Sequence, residues 1–228
     1  MKALFLILFF QINIFLSRKI ISGIKYIDQT DSYPTGCESV STVMCLNYFK
    51  INITVKEFID NYLDKGDIIS EGNVKYGPDP NKQFVGSPYD SKSYGCYEGV
   101  IEKALNKIIV KKKLENIFEV VNLTNIPLKN ITKEYLDNDI PVIFWATINF
   151  KKYYINQNNT WIINRETGET FTWRSNEHCL LLIGYDNVKN LYYFLDPWND
   201  NGLISRSMDL VERRHKEQYS MAVALKKK

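Results

Sequence analysis

EHCLLLIGYDNVKNLYYFLDPW, residues 177–198, is two apolar runs joined by a short polar stretch. His178–Tyr185 and Leu191–Trp198 read as strands, and Asp186-Asn187-Val188-Lys189-Asn190 reads as the turn of an antiparallel hairpin. A turn centred on Val188 sets Leu180 opposite Asp196 and His178 opposite Trp198. Side chains alternate along a strand, so His178 and Asp196 share one sheet face, either as diagonal neighbours or directly opposite with a two-residue change of register. Cys179 then points to the opposite face and is expected in the core.

Working outward, PVIFWATI (141–148) is a further buried strand, and TWIINRETGETFTW (160–173) is a hairpin turning at Glu166-Thr167-Gly168-Glu169. The N-terminal half is different. Apolar residues at helical spacing predict an amphipathic helix over 37–49, followed by helices over 55–63 (opened by Thr54), 97–109 and 132–138. Short strands are expected at 24–28 and 117–121. Residues 65–95, which include GPDPNKQFVGSPYDSKSYG, are dense in Gly, Pro, Asp and Ser and read as one long functional loop. Helices first and an antiparallel sheet later give an α+β class.

Composition narrows the function. The chain has 228 residues, 45% hydrophobic and 24% charged, enough for one domain with a sizeable core, taken here as residues 24–228. A net charge of +3, with basic residues scattered, points to no nucleic-acid partner. Residues 1–23 read as a signal peptide or N-terminal membrane anchor, because Lys2 precedes an apolar stretch from Ala3 to Leu16. That stretch is short for a span of about 20 residues. A secreted or extracellular protein, possible membrane attachment included, is the expectation. Cys37, Cys45, Cys96 and Cys179 allow up to two disulfides in such a setting, although Cys37 and Cys45, two helical turns apart, are too distant to pair. The cysteines form no C-x-x-C pair and only two histidines are present, so no metal or cofactor is expected. Sequons occur at Asn52, Asn122, Asn130 and Asn158.

Cys37, in YPTGCESVS, opens the first helix, where free N–H groups and the helix dipole favour a thiolate. Thr35 and Glu38 fit a capping box, which gives Glu38 a structural role. Alone, Cys37 reads first as a core or structural cysteine, while His178 reads equally as a strand-edge histidine and Asp196 equally as a turn aspartate before Pro197. Their combination has a chemical logic. A thiolate needs an imidazole partner, and His178 follows Cys37 by 141 residues, within the spacing of about 130–150 seen in papain-type enzymes. A carboxylate at Asp196 orients that imidazole. Gln29, eight residues before Cys37, supplies a side-chain N–H to an oxyanion alongside the Cys37 backbone N–H. His215, in ERRHKEQ, reads as part of a solvated helix face.

The stretches YIDQ…YPTGCESVS (26–41), YGPDPNKQFVGSPYDSKSYGCYEGVI (76–101), TGETFTW (167–173) and EHCLLLIGYDN…YYFLDPW (177–198) resemble the stand-alone, exported relatives of the bacteriocin (double-glycine) leader peptidases. These are a branch of the papain-like cysteine peptidases. The resemblance implies a helical lobe carrying the nucleophile packed on an antiparallel sheet lobe. It matches Cys37 to the nucleophile, His178 to the base, Asp196 to the orienting acid and Gln29 to the oxyanion residue. Cys96 falls in a shared motif with no catalytic assignment and is expected to be structural. Trp145, Trp173 and Trp198 are expected in the core or over the cleft. The implied activity is cysteine-dependent hydrolysis of a peptide or protein substrate. An amidase or acyltransferase acting on cell-wall peptide, or a peptide-binding module without turnover, are the alternatives.

Overall fold

The computed structural model describes residues 18–198 and 202–228. In chain order the elements are β1 (Arg18–Ile20), α1 (Cys37–Tyr48), α2 (Val55–Asn61), β2 (Lys65–Gly66), β3 (Ile69–Glu71), β4 (Val74–Tyr76), β5 (Phe84–Val85) and α3 (Glu98–Lys111). There follow β6 (Phe118–Asn122), α4 (Leu128–Glu134), β7 (Val142–Thr147), β8 (Tyr154–Asn164), β9 (Glu169–Ser175), β10 (Glu177–Asp186), β11 (Leu191–Asp196), β12 (Gly202–Ser207), α5 (Met208–Glu217) and β13 (Ala222–Lys227). The α+β class is as expected. The expected leader's apolar stretch, Ala3–Leu16, lies outside the described residues. No helix among the described residues is long and apolar enough to cross a membrane.

The central sheet runs β12-β11-β10-β7-β13-β6, and every pair in it is antiparallel. Strand β10 is buried along its whole length because it has neighbours on both sides: β11 on one, β7 and then β1 on the other. β7 covers Glu177–Leu182, and β1 takes over at Gly184–Asp186. Gly184 permits that handover, since a Cβ there would sit 2.3 Å from the Lys19 carbonyl oxygen. Among the described residues sheet pairing therefore includes Arg18–Ile20, upstream of Ile24, while residues 24–28 form no strand. The expected strand at 24–28 is corrected to 18–20. Three residues on an edge carry too little alternation to declare themselves.

Helix α1 packs against β10, β7, α2 and α3. It is buried on all sides from Cys37 to Leu46, so the expected amphipathic helix is instead a central one. Two of its polar residues find internal partners, Thr42 Oγ1 donating to the Glu38 carbonyl at 2.6 Å and Ser41 Oγ to the Cys179 carbonyl at 3.3 Å, whereas Ser39 Oγ has none. The surrounding helices are ordinary. Thr54 caps α2, its Oγ1 accepting from the Glu57 N–H at 3.0 Å. α3 buries Val100, Ile101, Ala104, Leu105, Ile108 and Ile109 along one stripe.

Residues 65–95 are a second correction. They hold four short strands rather than one irregular loop. β2 pairs in parallel with β5, while β3 and β4 form a hairpin whose β4 joins β8. The resulting sheet β3-β4-β8-β9 stands beside the cleft. Strands of two or three residues leave no readable period, and the turn residues between them dominate the composition.

Candidate active site

The β10–β11 hairpin pairs Leu181 with Leu195 and Leu182 with Phe194, the register expected from the turn. A bulge between Leu182 and Gly184 then shifts the pairs near the turn, leaving the site end unaffected. His178 and Asp196 consequently meet diagonally on one face, with Nε2 2.7 Å from Oδ1 and both side chains 2% exposed. The carboxylate can only accept from a neutral or charged ring here, so Nε2 carries the hydrogen. Asp196 Oδ1 also accepts from the Trp198 N–H at 3.0 Å, which fixes the carboxylate at the strand end. The Trp198 ring stands edge-on to His178, centroids 6.5 Å apart.

The same strand end holds Gln29. Its backbone N–H donates to the Pro197 carbonyl at 2.9 Å, and its own carbonyl accepts from Tyr33 N–H at 2.8 Å. A tight turn then returns the chain, through Gly36 N–H to Tyr33 carbonyl, into α1 at Cys37. The Gln29 side chain is buried, with Nε2 donating to the Pro34 carbonyl at 3.3 Å and Oε1 lacking a partner. Gln29, Cys37, Trp173, Glu177, His178 and Trp198 all line one cleft of about 300 Å³. The four expected site residues thus converge from the N-terminal turn, α1, β10 and the end of β11. Trp145 lies in the core, donating Nε1–H to the Cys96 carbonyl at 3.1 Å.

The capping box is a correction. Gly36 occupies the N-cap position with no side-chain bond, and Thr35 Oγ1 instead donates to the Asp90 carbonyl at 3.0 Å. Glu38 does not turn back to Thr35. Because α1 is buried on every side, its carboxylate finds the nearest internal donor: Oε1 accepts from the Cys96 N–H at 2.6 Å. Oε2 lies 3.3 Å from Cys37 Sγ. Glu177, 7% exposed, is the second buried acid, and its Oε1 has no partner. Both carboxylates close on Gly95, where a Cβ would lie 2.5 Å from Glu38 Oε1 and 3.0 Å from Glu177 Oε2.

This setting reverses the expectation for Cys37. The thiol is pushed well above its ordinary range, first by burial, then by the neighbouring Glu38 and Glu177. A helix N-terminus is worth about 0.3–1 kcal/mol, whereas full burial can shift a pKa by about 3–5 units, so burial wins. Burial also raises Glu38 to about 7 and Glu177 well above the usual carboxylate range. Cys37, Glu38 and Glu177 bring one donor atom each within 4.8 Å of one another, the spacing of a small metal site. Both Glu38 oxygens are already engaged by Cys96 and Cys37.

His215 is a further correction, being 3% exposed rather than solvated. It stacks on Phe144 at 4.0 Å and its Nδ1 donates to the Trp145 carbonyl at 2.8 Å. Val211 and His215, four apart, form the buried stripe of α5, a spacing that was visible in the sequence but hidden by charged neighbours. The sequence reading leaves Glu177 unremarked and gives Glu38 only a capping role, so the burial of both acids beside Cys37 is seen in the structure alone. Their one sequence signal is position: each is the immediate chain neighbour of a candidate site residue. All four cysteines are buried and free, so neither of the disulfides allowed for is present.

Comparison with known proteins agrees with this architecture. The model of the peptidase C39-like family matches residues 21–223. No curated protein matches the chain. A crystal structure from Bacillus anthracis, assigned as a C39-like peptidase, is 26% identical, with a TM-score of 0.75 over 92% of this chain and 98% of that one. The α+β arrangement of helices on an antiparallel sheet is the papain-like fold of that peptidase. The chain therefore belongs to the peptidase C39-like family.

Proposed function

We propose that the protein is a cysteine peptidase whose nucleophile is Cys37, with His178 as base, Asp196 as orienting acid and Gln29 as oxyanion donor. The observation that carries this is the His178–Asp196 bond at 2.7 Å, which leaves Nδ1 as the free ring nitrogen of a residue lining the same cleft as Cys37. His178 takes the thiol proton through Nδ1, and Sγ attacks the substrate carbonyl. The Cys37 backbone N–H and the second hydrogen of Gln29 Nε2 hold the oxyanion. The protonated imidazole then delivers its proton to the departing amine, and a water activated by neutral His178 hydrolyses the thioester. Asp196 keeps the hydrogen on Nε2 throughout, so that Nδ1 always faces the reaction.

The test is hydrolysis of a peptide library by the wild type and Cys37→Ala. Loss of cleavage by at least about 10³-fold is expected, and cleavage persisting in the variant would sink the reading. Muropeptide or amine-transfer products in the same assay would redirect it to an amidase or acyltransferase. On this reading the enzyme acts after export, carried by the apolar stretch Ala3–Leu16. Any leader cleavage falls before Arg18, since Arg18–Ile20 pair with Gly184–Asp186. N-terminal sequencing of the secreted protein checks this.

A further inference from the structure

Glu38 lies directly behind Cys37, fully buried, with Oε2 3.3 Å from Sγ and Oε1 tied to the Cys96 N–H. One hydrogen fits in the Oε2···Sγ contact, and it can belong to either atom. If Glu38 is ionised, the thiol donates to the carboxylate. If Glu38 is a carboxylic acid, its O–H donates to a thiolate. The first arrangement holds the sulfur as a thiol, and the second stabilises the nucleophilic form.

We propose that Glu38 is a second catalytic acid of this site, arming Cys37 when protonated and disarming it when ionised. The inference rests on the reading of Cys37 as the nucleophile. Its proton balance is closed. In the armed state the Glu38 carboxylic acid O–H and the His178 imidazolium together offset the cost of burying the Cys37 thiolate. Loss of one proton to solvent leaves Glu38 carboxylate, while the imidazolium proton moves to Sγ, giving thiol and neutral imidazole. No electrons are transferred.

The surroundings favour the acid form near neutrality. Around the Glu38 carboxyl are Cys37 of α1, the Cys96 N–H and thiol just before α3, and Glu177 and Cys179 of β10, with Glu98 beside Cys96 and Tyr97 beside Glu177 one step further out. Arg174 of β9 is directed elsewhere, donating to the Glu217 carbonyl at 2.7 Å and lying over the Tyr219 ring. Among the described residues no Lys or Arg forms a salt bridge with Glu38 or Glu177. Two carboxyls pressed against Gly95 without a cation resist double ionisation, and Glu38 titrates at about 7 because burial disfavours its charge.

The consequence is a titration of unusual sign. An ordinary cysteine gains thiolate as pH rises, whereas Cys37 loses it as Glu38 ionises. The experiment follows thiolate ultraviolet absorbance of the intact protein from pH 5.5 to 8.5, with Cys37→Ser as the baseline, alongside iodoacetamide alkylation of Cys37 mapped by mass spectrometry. In the wild type both signals are expected to fall about tenfold between pH 6 and pH 8, the span of one titration around neutrality. Glu38→Gln keeps an acceptor for the Cys96 N–H and donates an amide N–H to sulfur at every pH. Its alkylation is expected to stay level, at least about fivefold faster than wild type at pH 8. A structural role alone would leave the Glu38→Gln profile identical to wild type, and that result overturns the proposal. So does a wild-type thiolate signal that rises with pH. If circular dichroism finds Glu38→Gln unfolded, the wild-type absorbance titration decides alone. Neither readout needs a substrate. A falling thiolate signal with Cys37-independent cleavage would sink the peptidase reading, while Cys37-dependent cleavage with a rising signal would sink only the role of Glu38.

Discussion

The two histidines are almost equally buried, His178 at 2% and His215 at 3% exposure, and each makes one strong hydrogen bond. His178 gives Nε2–H to a carboxylate and keeps its other nitrogen on the cleft side. His215 gives Nδ1–H to the Trp145 carbonyl, stacks on Phe144, and buries Nε2 with no partner. The difference is what each ring can do with a proton. A carboxylate partner stabilises an imidazolium, whereas a neutral carbonyl and an aromatic face leave a charged ring desolvated. Burial accordingly lowers His215 to about 4. Neither burial nor a hydrogen bond makes a histidine chemical; a charged partner on one side and reactant on the other do.

The largest way to break this contrast is His178→Ala, which is expected to lower kcat/KM for peptide hydrolysis by about 10³–10⁴-fold with little change in melting temperature. His215→Phe should leave kcat/KM within about threefold. Reversed outcomes would exchange the roles of the two residues. Asp196→Asn should cost about 10²–10³-fold in kcat, because the amide can present an N–H to Nε2 and favour the wrong tautomer. Retention of full activity would make Asp196 a turn residue only.

Stability should divide the histidines in the opposite sense. His215 is neutral when folded, with a pKa of about 4, and titrates near 6.5 when unfolded. Between those values the unfolded chain binds the extra proton. Its contribution is therefore fully present above about pH 6.5 and is lost as pH falls toward 4, amounting to about 3 kcal/mol. Denaturant unfolding of His215→Phe and wild type across pH 4–7 checks this: the variant's curve should be flatter over that interval. The smallest expected effect is at Glu212, whose charge on the exposed face of α5 raises His215 slightly. Glu212→Gln should lower the His215 titration by less than about 0.5 pH unit, measured by NMR of the ring protons.

How much of this was legible depends on the range of the interaction responsible. The β10–β11 register could be read because a short turn and strict alternation are local, and they alone bring His178 to Asp196. Thr54 as the cap of α2 is equally local. The apparent capping box at Thr35 and Glu38 failed because two distant segments competed for it: the loop at Ser87–Asp90 took Thr35, and Cys96 took Glu38. His215 failed for a related reason, since six charged or polar neighbours in ERRHKEQ outweighed the single i, i+4 stripe that packs on β7.

The sequence by itself determined the α+β class, the hairpin that carries His178 and Asp196, and the pairing of a helix-start cysteine with an upstream glutamine. These follow from periodicity and turn chemistry, which act over a few residues. Only the tertiary structure decided that α1 runs through the core with no solvent face. Burial on every side is a property of what surrounds a helix, not of its own pattern. It turned Glu38 from a surface cap into a dry acid against Cys37 Sγ, and it raised the thiol that a helix dipole alone would have lowered.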